Sequence, residues 1–122
     1  MPRHVLDENR FHPAIVDKLL HWQEPVVHNV QSASLSNALL VVGMAGNPFC
    51  KRARKALETA GLPFHYLSFG SYLAQWKERL ALKMWTGWPT FPMVFVKGVL
   101  IGGAKDLERL IDSGELKRLL GE

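Results

Sequence analysis

The segment LLVVGMAGNPFCKRARKALETAG, residues 39–61, contains a strand signal, a helix start and a helix end in direct succession. Four consecutive aliphatic residues, 39–42, are typical of a short strand that is buried on both faces of a sheet. Asn47-Pro48 predicts a helix start, because asparagine is a favoured N-cap and proline fits the first helical turn. Gly61 predicts the end of that helix. The segment therefore predicts a strand–turn–helix unit.

Downstream of this unit, apolar runs and turn residues continue the alternation of strands and helices. Lys97-Gly98 separates two short apolar runs, which predicts a tight antiparallel hairpin. The order βαβαββα predicts an α/β, thioredoxin-like fold with a mixed four-stranded sheet and helices on both faces. The predicted elements after Gly61 are strand 62–67, helix 71–84, strands 92–96 and 99–101, and helices 105–112 and 115–120.

Upstream of residue 38 the pattern is weaker. Residues 1–10 are polar and are expected to fray. Residues 11–22 predict a short helix, because apolar side chains recur there at helical spacing. Residues 23–37 contain a proline and a serine-rich stretch and are interpreted as a connector. We therefore expect an N-terminal extension with a short helix and a connector over residues 1–37, followed by the main domain over residues 38–122.

The composition of the chain excludes several classes of protein. Its 122 residues fit one domain, and 48% apolar residues suffice for an ordinary core. No apolar run approaches the roughly 20 residues that span a bilayer, so no membrane partner is expected. The first ten residues lack the apolar region of a secretory signal, which predicts a cytoplasmic location.

The charge and the cysteine content limit the chemistry further. A formal charge of +4 favours anionic ligands. A nucleic-acid partner is not favoured, because such a role needs basic residues clustered on one face. Cys50 is the only cysteine, which excludes an intramolecular disulfide, a CxxC redox pair and a zinc site built from thiolates alone. The five histidines show no ligand spacing, so no metal site is predicted.

Three motifs in the chain resemble those of the glutaredoxins. NPFCKRARKAL, residues 47–57, is similar to the redox-helix motif C-P-Y-C-x-x-A-x-x-x-L. RLALKMWTGWPTFP, residues 79–92, resembles the monothiol-branch pattern R-x-x-L-K-x-x-S-x-W-P-T-F-P. VKGVLIGGAKDL, residues 96–107, resembles V-x-G-x-x-I-G-G-x-D-D-L. The resemblance covers about residues 38–120 and implies a glutathione-linked thiol–disulfide redox protein.

The register of the first motif places Asn47 at the position of the nucleophilic cysteine. In that register Ala53, Leu57 and Gly61 match the alanine, leucine and glycine of the family. If Cys50 were aligned with the nucleophile instead, Gly61 would no longer align with the family glycine. An asparagine caps a helix but carries no nucleophile, and Met44 replaces the family's activating lysine. The resemblance therefore implies reduced or lost oxidoreductase activity. No iron–sulfur cluster is expected, because the ligating cysteine of the monothiol branch is absent.

Two roles for Cys50 stay open at this point. It falls at about the third position of the helix, beside Lys51 and Arg54, where the helix dipole and the cations would favour a thiolate. It could then be a relocated catalytic nucleophile or a site for a mixed disulfide with glutathione. The alternative is a small, buried apolar residue without a chemical role.

The resemblance also implies a groove for glutathione. Arg79 matches the arginine that holds the glycyl carboxylate, and Thr90 and Phe91 precede a cis proline, Pro92, beside which an extended thiol peptide pairs with the backbone. The γ-glutamyl carboxylate would meet a helix start. The residues at that start are Gly103, Ala104 and Lys105.

Lys105 departs from the family aspartate that pairs with the ligand's ammonium, so weaker or altered binding is expected. Two functions follow from these observations. The first is a glutathione-linked redox protein with reduced or lost activity. The second is a non-catalytic domain that binds glutathione, a thiol peptide or a protein. The oligomeric state is left open.

Overall fold

The computed structural model describes residues 3–121 as one four-stranded sheet with six α-helices. Helices α1 and α2 precede the first strand, and the remaining elements follow in the order βαβαββαα. Within the described residues no helix is long and apolar enough to cross a membrane. The helices are α1 Pro13–Leu20, α2 Glu24–Ser36, α3 Pro48–Thr59, α4 Trp76–Thr86, α5 Ala104–Asp112 and α6 Glu115–Leu119, and the strands are β1 Leu39–Gly43, β2 His65–Ser68, β3 Met93–Val96 and β4 Val99–Gly102.

The sheet has the strand order β2-β1-β3-β4. Strand β1 pairs with β2 in parallel, and with β3 in antiparallel register through Val42 opposite Met93. Strands β3 and β4 form the predicted hairpin, in which Lys97 and Gly98 both have positive φ, as a tight two-residue turn of this kind requires. The predicted α/β, thioredoxin-like fold with a mixed four-stranded sheet is confirmed.

Strand β1 is buried on both faces, as its aliphatic run predicts. Leu39 and Val41 join a core that includes Leu57 of α3 and Leu107 of α5. The alternate residues of β1 join a second core on the opposite face, which contains Val30 of α2. The side chains of this one strand therefore anchor helices on both faces, as expected from the two-residue period of a strand.

The interpretation of residues 23–37 as a connector is wrong, because this segment forms the 13-residue helix α2. The helix begins after Gln23, has a proline in its first turn, and buries Val30 and Ser34, which are four residues apart. Only these two positions of the helix are fully buried, and the rest is polar or partly exposed. The apolar periodicity was therefore too weak to reveal the helix from sequence.

Two further boundaries differ from the prediction by three or more residues, and the others by one or two. Helix α4 begins at Trp76 rather than at residue 71, because residues 71–75 form a loop whose carbonyl groups bind a side chain of the helix itself. Strand β2 begins at His65 rather than at residue 62. The predictions for residues 1, 2 and 122 concern positions outside the described residues.

We expect Val30→Ala to lower the free energy of unfolding by about 2 kcal/mol, because Val30 is fully buried in the core against the sheet. Ser32→Ala, at an exposed position of the same helix, should change it by less than about 0.5 kcal/mol. Urea denaturation of the two variants measures the difference. Equal effects would show that α2 is not part of the cooperative core.

Candidate functional site

The site is built where β1 ends and α3 begins. Asn47 is the N-cap of α3, as predicted from sequence. Its Oδ1 accepts hydrogen bonds from the backbone N–H groups of Phe49, at 2.9 Å, and of Cys50, at 3.1 Å. Phe49 is 47% exposed, so its ring stands at the surface beside the cap. A neutral amide oxygen therefore occupies the first-turn donors that would otherwise stabilise an anion.

Cys50 lies in the core and is 0% exposed. A β-carbon built on Gly43 would approach Cys50 Sγ to 2.9 Å and Tyr66 Oη to 2.6 Å, so the thiol is enclosed between strand β1 and the tyrosine. Burial raises the pKa of the Cys50 thiol, and the Met44 backbone and the Arg54 guanidinium offset this only in part. The thiol is therefore kept neutral and away from solvent.

Arg54 and Tyr66 cover the thiol on the side of β2. The Arg54 guanidinium carbon lies 4.3 Å from the centre of the Tyr66 ring, which is a cation–π contact. Burial raises the pKa of the Tyr66 hydroxyl, and the neighbouring Cys50 adds to that effect. Sequence analysis placed Arg54 beside Cys50 but did not identify the tyrosine, which comes from a different strand.

Met44 is also part of this core. Its side chain is 5% exposed and belongs to the same apolar cluster as Cys50 and Phe91. The position where the resemblance implies an activating lysine is therefore filled by an apolar, buried side chain. The structure places no cation from this position near the start of α3.

The segment before β3 adjoins the start of α5. The Phe91–Pro92 peptide bond is cis, Thr90 is exposed, and Phe91 is only 5% exposed. A β-carbon on Gly103 would lie 3.5 Å from the Pro92 carbonyl oxygen, so these two segments are in contact. The structure therefore brings together the residues that were predicted to bind the cysteinyl and γ-glutamyl parts of glutathione.

The first turn of α5 carries its own acceptor. Asp106 Oδ2 accepts a hydrogen bond from the Gly103 N–H at 2.9 Å. Ala104 is buried and Lys105 is exposed, so the lysine ammonium adds a positive charge to the surface at this helix start. Asp106 was not among the predicted residues. Its spacing of three from the N-cap is a sequence signal that could have found it.

Arg79, predicted to hold a ligand carboxylate, contacts backbone carbonyl groups in this structure. It is 8% exposed, and its Nη1 donates to the carbonyl oxygens of Phe69 at 2.8 Å, Ser71 at 2.6 Å and Ala74 at 2.5 Å. The guanidinium thus holds the loop between β2 and α4. A ligand carboxylate would have to compete with these carbonyl groups for the arginine.

Among residues 3–121 no group of three or more histidine, cysteine, aspartate or glutamate side chains is arranged to hold a metal ion. The site consists of the Asn47 cap, the buried Cys50 thiol, the Thr90–Pro92 segment and the start of α5. It can hold an extended or anionic ligand, but it presents no exposed thiol.

We expect the absorbance of Cys50 at 240 nm to titrate at a higher pH than that of a free cysteine, because burial raises its pKa. Because the thiol ionises more easily in the unfolded chain than in the folded one, its ionisation favours unfolding. The neutral thiol therefore contributes its full stability at pH values below the pKa that it has in the unfolded chain. This contribution should be lost as the pH rises through the raised pKa of the folded state. The part of this loss that is due to Cys50 should be absent in Cys50→Ala, whereas the part due to Tyr66, whose pKa burial also raises, should remain. A titration midpoint below that of free cysteine would contradict the buried geometry.

Comparison with known proteins gives a consistent result. The family model described as Glutaredoxin matches residues 40–101. The chain is 42% identical over 96 residues to a glutaredoxin-like protein of Dictyostelium discoideum, covering 79% of this chain and 78% of that protein. It is 32% identical over 101 residues to glutaredoxin 4 of Buchnera aphidicola, covering 78% of this chain and 91% of that protein. Monothiol glutaredoxin-4 of Schizosaccharomyces pombe is 31% identical, and this chain spans 39% of its length.

Solved structures share the same fold. Oxidised glutaredoxin 2 from Chlamydomonas reinhardtii superposes with a TM-score of 0.70 at 25% identity, over 81% of this chain and 94% of that one. A buckwheat glutaredoxin–glutathione complex superposes with a TM-score of 0.71 at 24% identity, over 83% of this chain and 92% of that one. By family model, by sequence identity and by fold, the chain belongs to the glutaredoxin family.

Proposed function

We propose that this glutaredoxin-family chain binds glutathione or an extended peptide at the groove beside Pro92 without turning over disulfides. The observation that carries the proposal is the Asn47 cap. Its amide oxygen accepts the Phe49 and Cys50 N–H groups at the position where the resemblance puts the nucleophile. An amide oxygen can satisfy these donors but cannot form a disulfide.

The environment of Cys50 argues against a relocated nucleophile. A thiolate is the reactive form of cysteine, and the raised pKa of Cys50 keeps the thiol protonated at neutral pH. The sulfur is 0% exposed and is enclosed by Gly43 and Tyr66, so a disulfide partner has no approach to it. The same burial makes Cys50 unsuitable as a ligand of an iron–sulfur cluster, which needs an accessible thiolate.

The groove retains features that favour an anionic, extended ligand. Thr90 and Phe49 are exposed, and the exposed Lys105 adds a cation at the start of α5. Glutathione is an extended peptide with two carboxylates. The buckwheat glutaredoxin of similar fold was solved in complex with glutathione. Lys105 repels the ammonium group of glutathione, and Arg79 is engaged by its own loop. We therefore propose that the groove binds glutathione itself only weakly. We also propose that the protein acts in the cytoplasm.

We expect Asn47→Cys to gain glutathione-dependent disulfide reductase activity, because a thiol would then sit at the start of α3, where the first-turn N–H groups lower its pKa. Asn47→Ser, which can also cap the helix but carries no thiol, should gain none. The assay is reduction of a mixed disulfide of glutathione with a small thiol. Asn47→Cys combined with Cys50→Ser should stay active, since Cys50 is buried.

The unmodified chain and Cys50→Ser are the controls for this experiment. After incubation with oxidised glutathione, neither should show a glutathione adduct by intact mass. An adduct or reductase activity in the unmodified chain that disappears in Cys50→Ser would identify Cys50 as the nucleophile. The proposal that the chain has lost turnover would then be wrong.

We expect Lys105→Asp to bind reduced glutathione about 3- to 10-fold more tightly than the unmodified chain, because the substitution replaces a repulsion of the ligand's ammonium by an attraction across an exposed surface. Lys117→Asp on α6, which is also exposed, provides the matched control and should leave the affinity unchanged. Calorimetric titration measures both. If no variant binds glutathione saturably, the groove is not a glutathione site.

A further inference from the structure

A cavity lies between the N-terminal segment and α4. It is bordered by the segment around Leu6 and by helices α1, α2 and α4, and its volume is about 490 Å³. That volume is in the range of protein pockets that accept drug-sized molecules. Apolar side chains make up most of its walls, including Phe11, Leu19 and Trp85. None of its lining residues belongs to the site around Asn47 and Pro92.

Several apolar side chains in the walls of this cavity are left partly exposed to solvent by the packing of the chain. Helix α1 has no buried residue, although it contributes Leu19 and Leu20 to the lining. Those two side chains remain 40% and 57% exposed, and Met84 of α4, on the other side of the cavity, remains 50% exposed. An apolar occupant would remove these surfaces from water, which is the main favourable contribution to binding in a pocket of this kind.

The charged residues of the lining indicate which head group an apolar ligand of this cavity would carry. The chain has 15 lysines and arginines against 11 aspartates and glutamates, yet none of the fifteen described lining residues is a lysine or an arginine. Two of them are the carboxylates Glu8 and Glu24. Glu24 Oε2 lies 2.6 Å from His21 Nδ1, and Oε1 lies 3.2 Å from His28 Nε2, so these contacts orient its carboxylate. His28 also lines the cavity, and Glu24 shares its charge with His21 and His28. Glu8 is therefore the lining carboxylate that favours a cation in this otherwise basic protein.

Aromatic rings in the lining point to the same class of ligand. Trp22 and Trp85 both line the cavity, and the face of a tryptophan ring attracts an ammonium group. We propose that this cavity binds a small amphiphile with an apolar chain or ring and a cationic amino head. The apolar body fills the space between α1 and α4, and the head lies at the carboxylate of Glu8, with Glu24 in the same lining.

The probe for this proposal is decylamine, added to the full chain below its micelle concentration and followed by amide NMR shifts. Decyl sulfate and 1-decanol have the same chain length and a negative or a neutral head. We expect saturable binding of decylamine, at least about 5-fold tighter than that of decyl sulfate. The shifts should concentrate in residues 5–31 and in α4, and hydrogen exchange in α1 should slow.

A pair of variants separates the head from the apolar body. Glu8→Gln combined with Glu24→Gln should weaken decylamine binding about 5-fold and leave 1-decanol binding unchanged. Glu58→Gln, at an exposed position of α3 outside the cavity, is the matched control. The proposal is overturned if decyl sulfate binds as tightly as decylamine, if the shifts map elsewhere, or if no probe binds saturably. It is also overturned if decylamine acts by dissociating a dimer, since a second copy would then be the occupant.

Discussion

The arrangement of the candidate site depends on the hydrogen bonds from the first turn of α3 to the Asn47 side chain. Two N–H donors converge on one neutral oxygen, so the positive end of the helix meets a dipole instead of a thiolate. Nothing at this position then requires a neighbouring cation. Met44 can be buried with the core because there is no anion beside it for a lysine to stabilise. The cap and the apolar neighbour are therefore consistent with each other.

The parts of the fold that depend on short-range signals could be predicted from sequence. Asn47-Pro48 places the start of α3, and the conformation of Lys97-Gly98 matches the tight hairpin that the sequence indicated. Helix α2 could not be predicted, because its polar composition resembles a linker and its burial depends on the sheet to which Val30 packs. Propensity and periodicity report what a segment does alone, whereas this helix is stabilised by tertiary contacts.

The candidate site shows the same division between local and tertiary information. The register that puts Asn47 at the helix start follows from residue spacing, and the structure agrees with it. The sequence left two roles open for Cys50, and its burial under Tyr66 required the pairing of β1 with β2. Arg79 has the residue type that suits a carboxylate, but its Nη1 donates to three backbone carbonyl groups. Backbone partners leave no trace in a sequence.

Two substitutions redistribute charge around the groove. Met44 removes a cation from the side of the helix where a thiolate would form, and Lys105 adds one at the start of α5. The attraction for an anionic ligand is therefore placed at α5, while the side that would activate sulfur is neutral and apolar. In such a groove, binding of an anionic ligand depends on a cation at the start of α5, whereas activation of a thiol depends on a cation beside α3. The activation of a thiol can therefore weaken while ligand binding persists. This distribution of charge supports the proposal that the chain holds an anionic ligand without reacting with its sulfur.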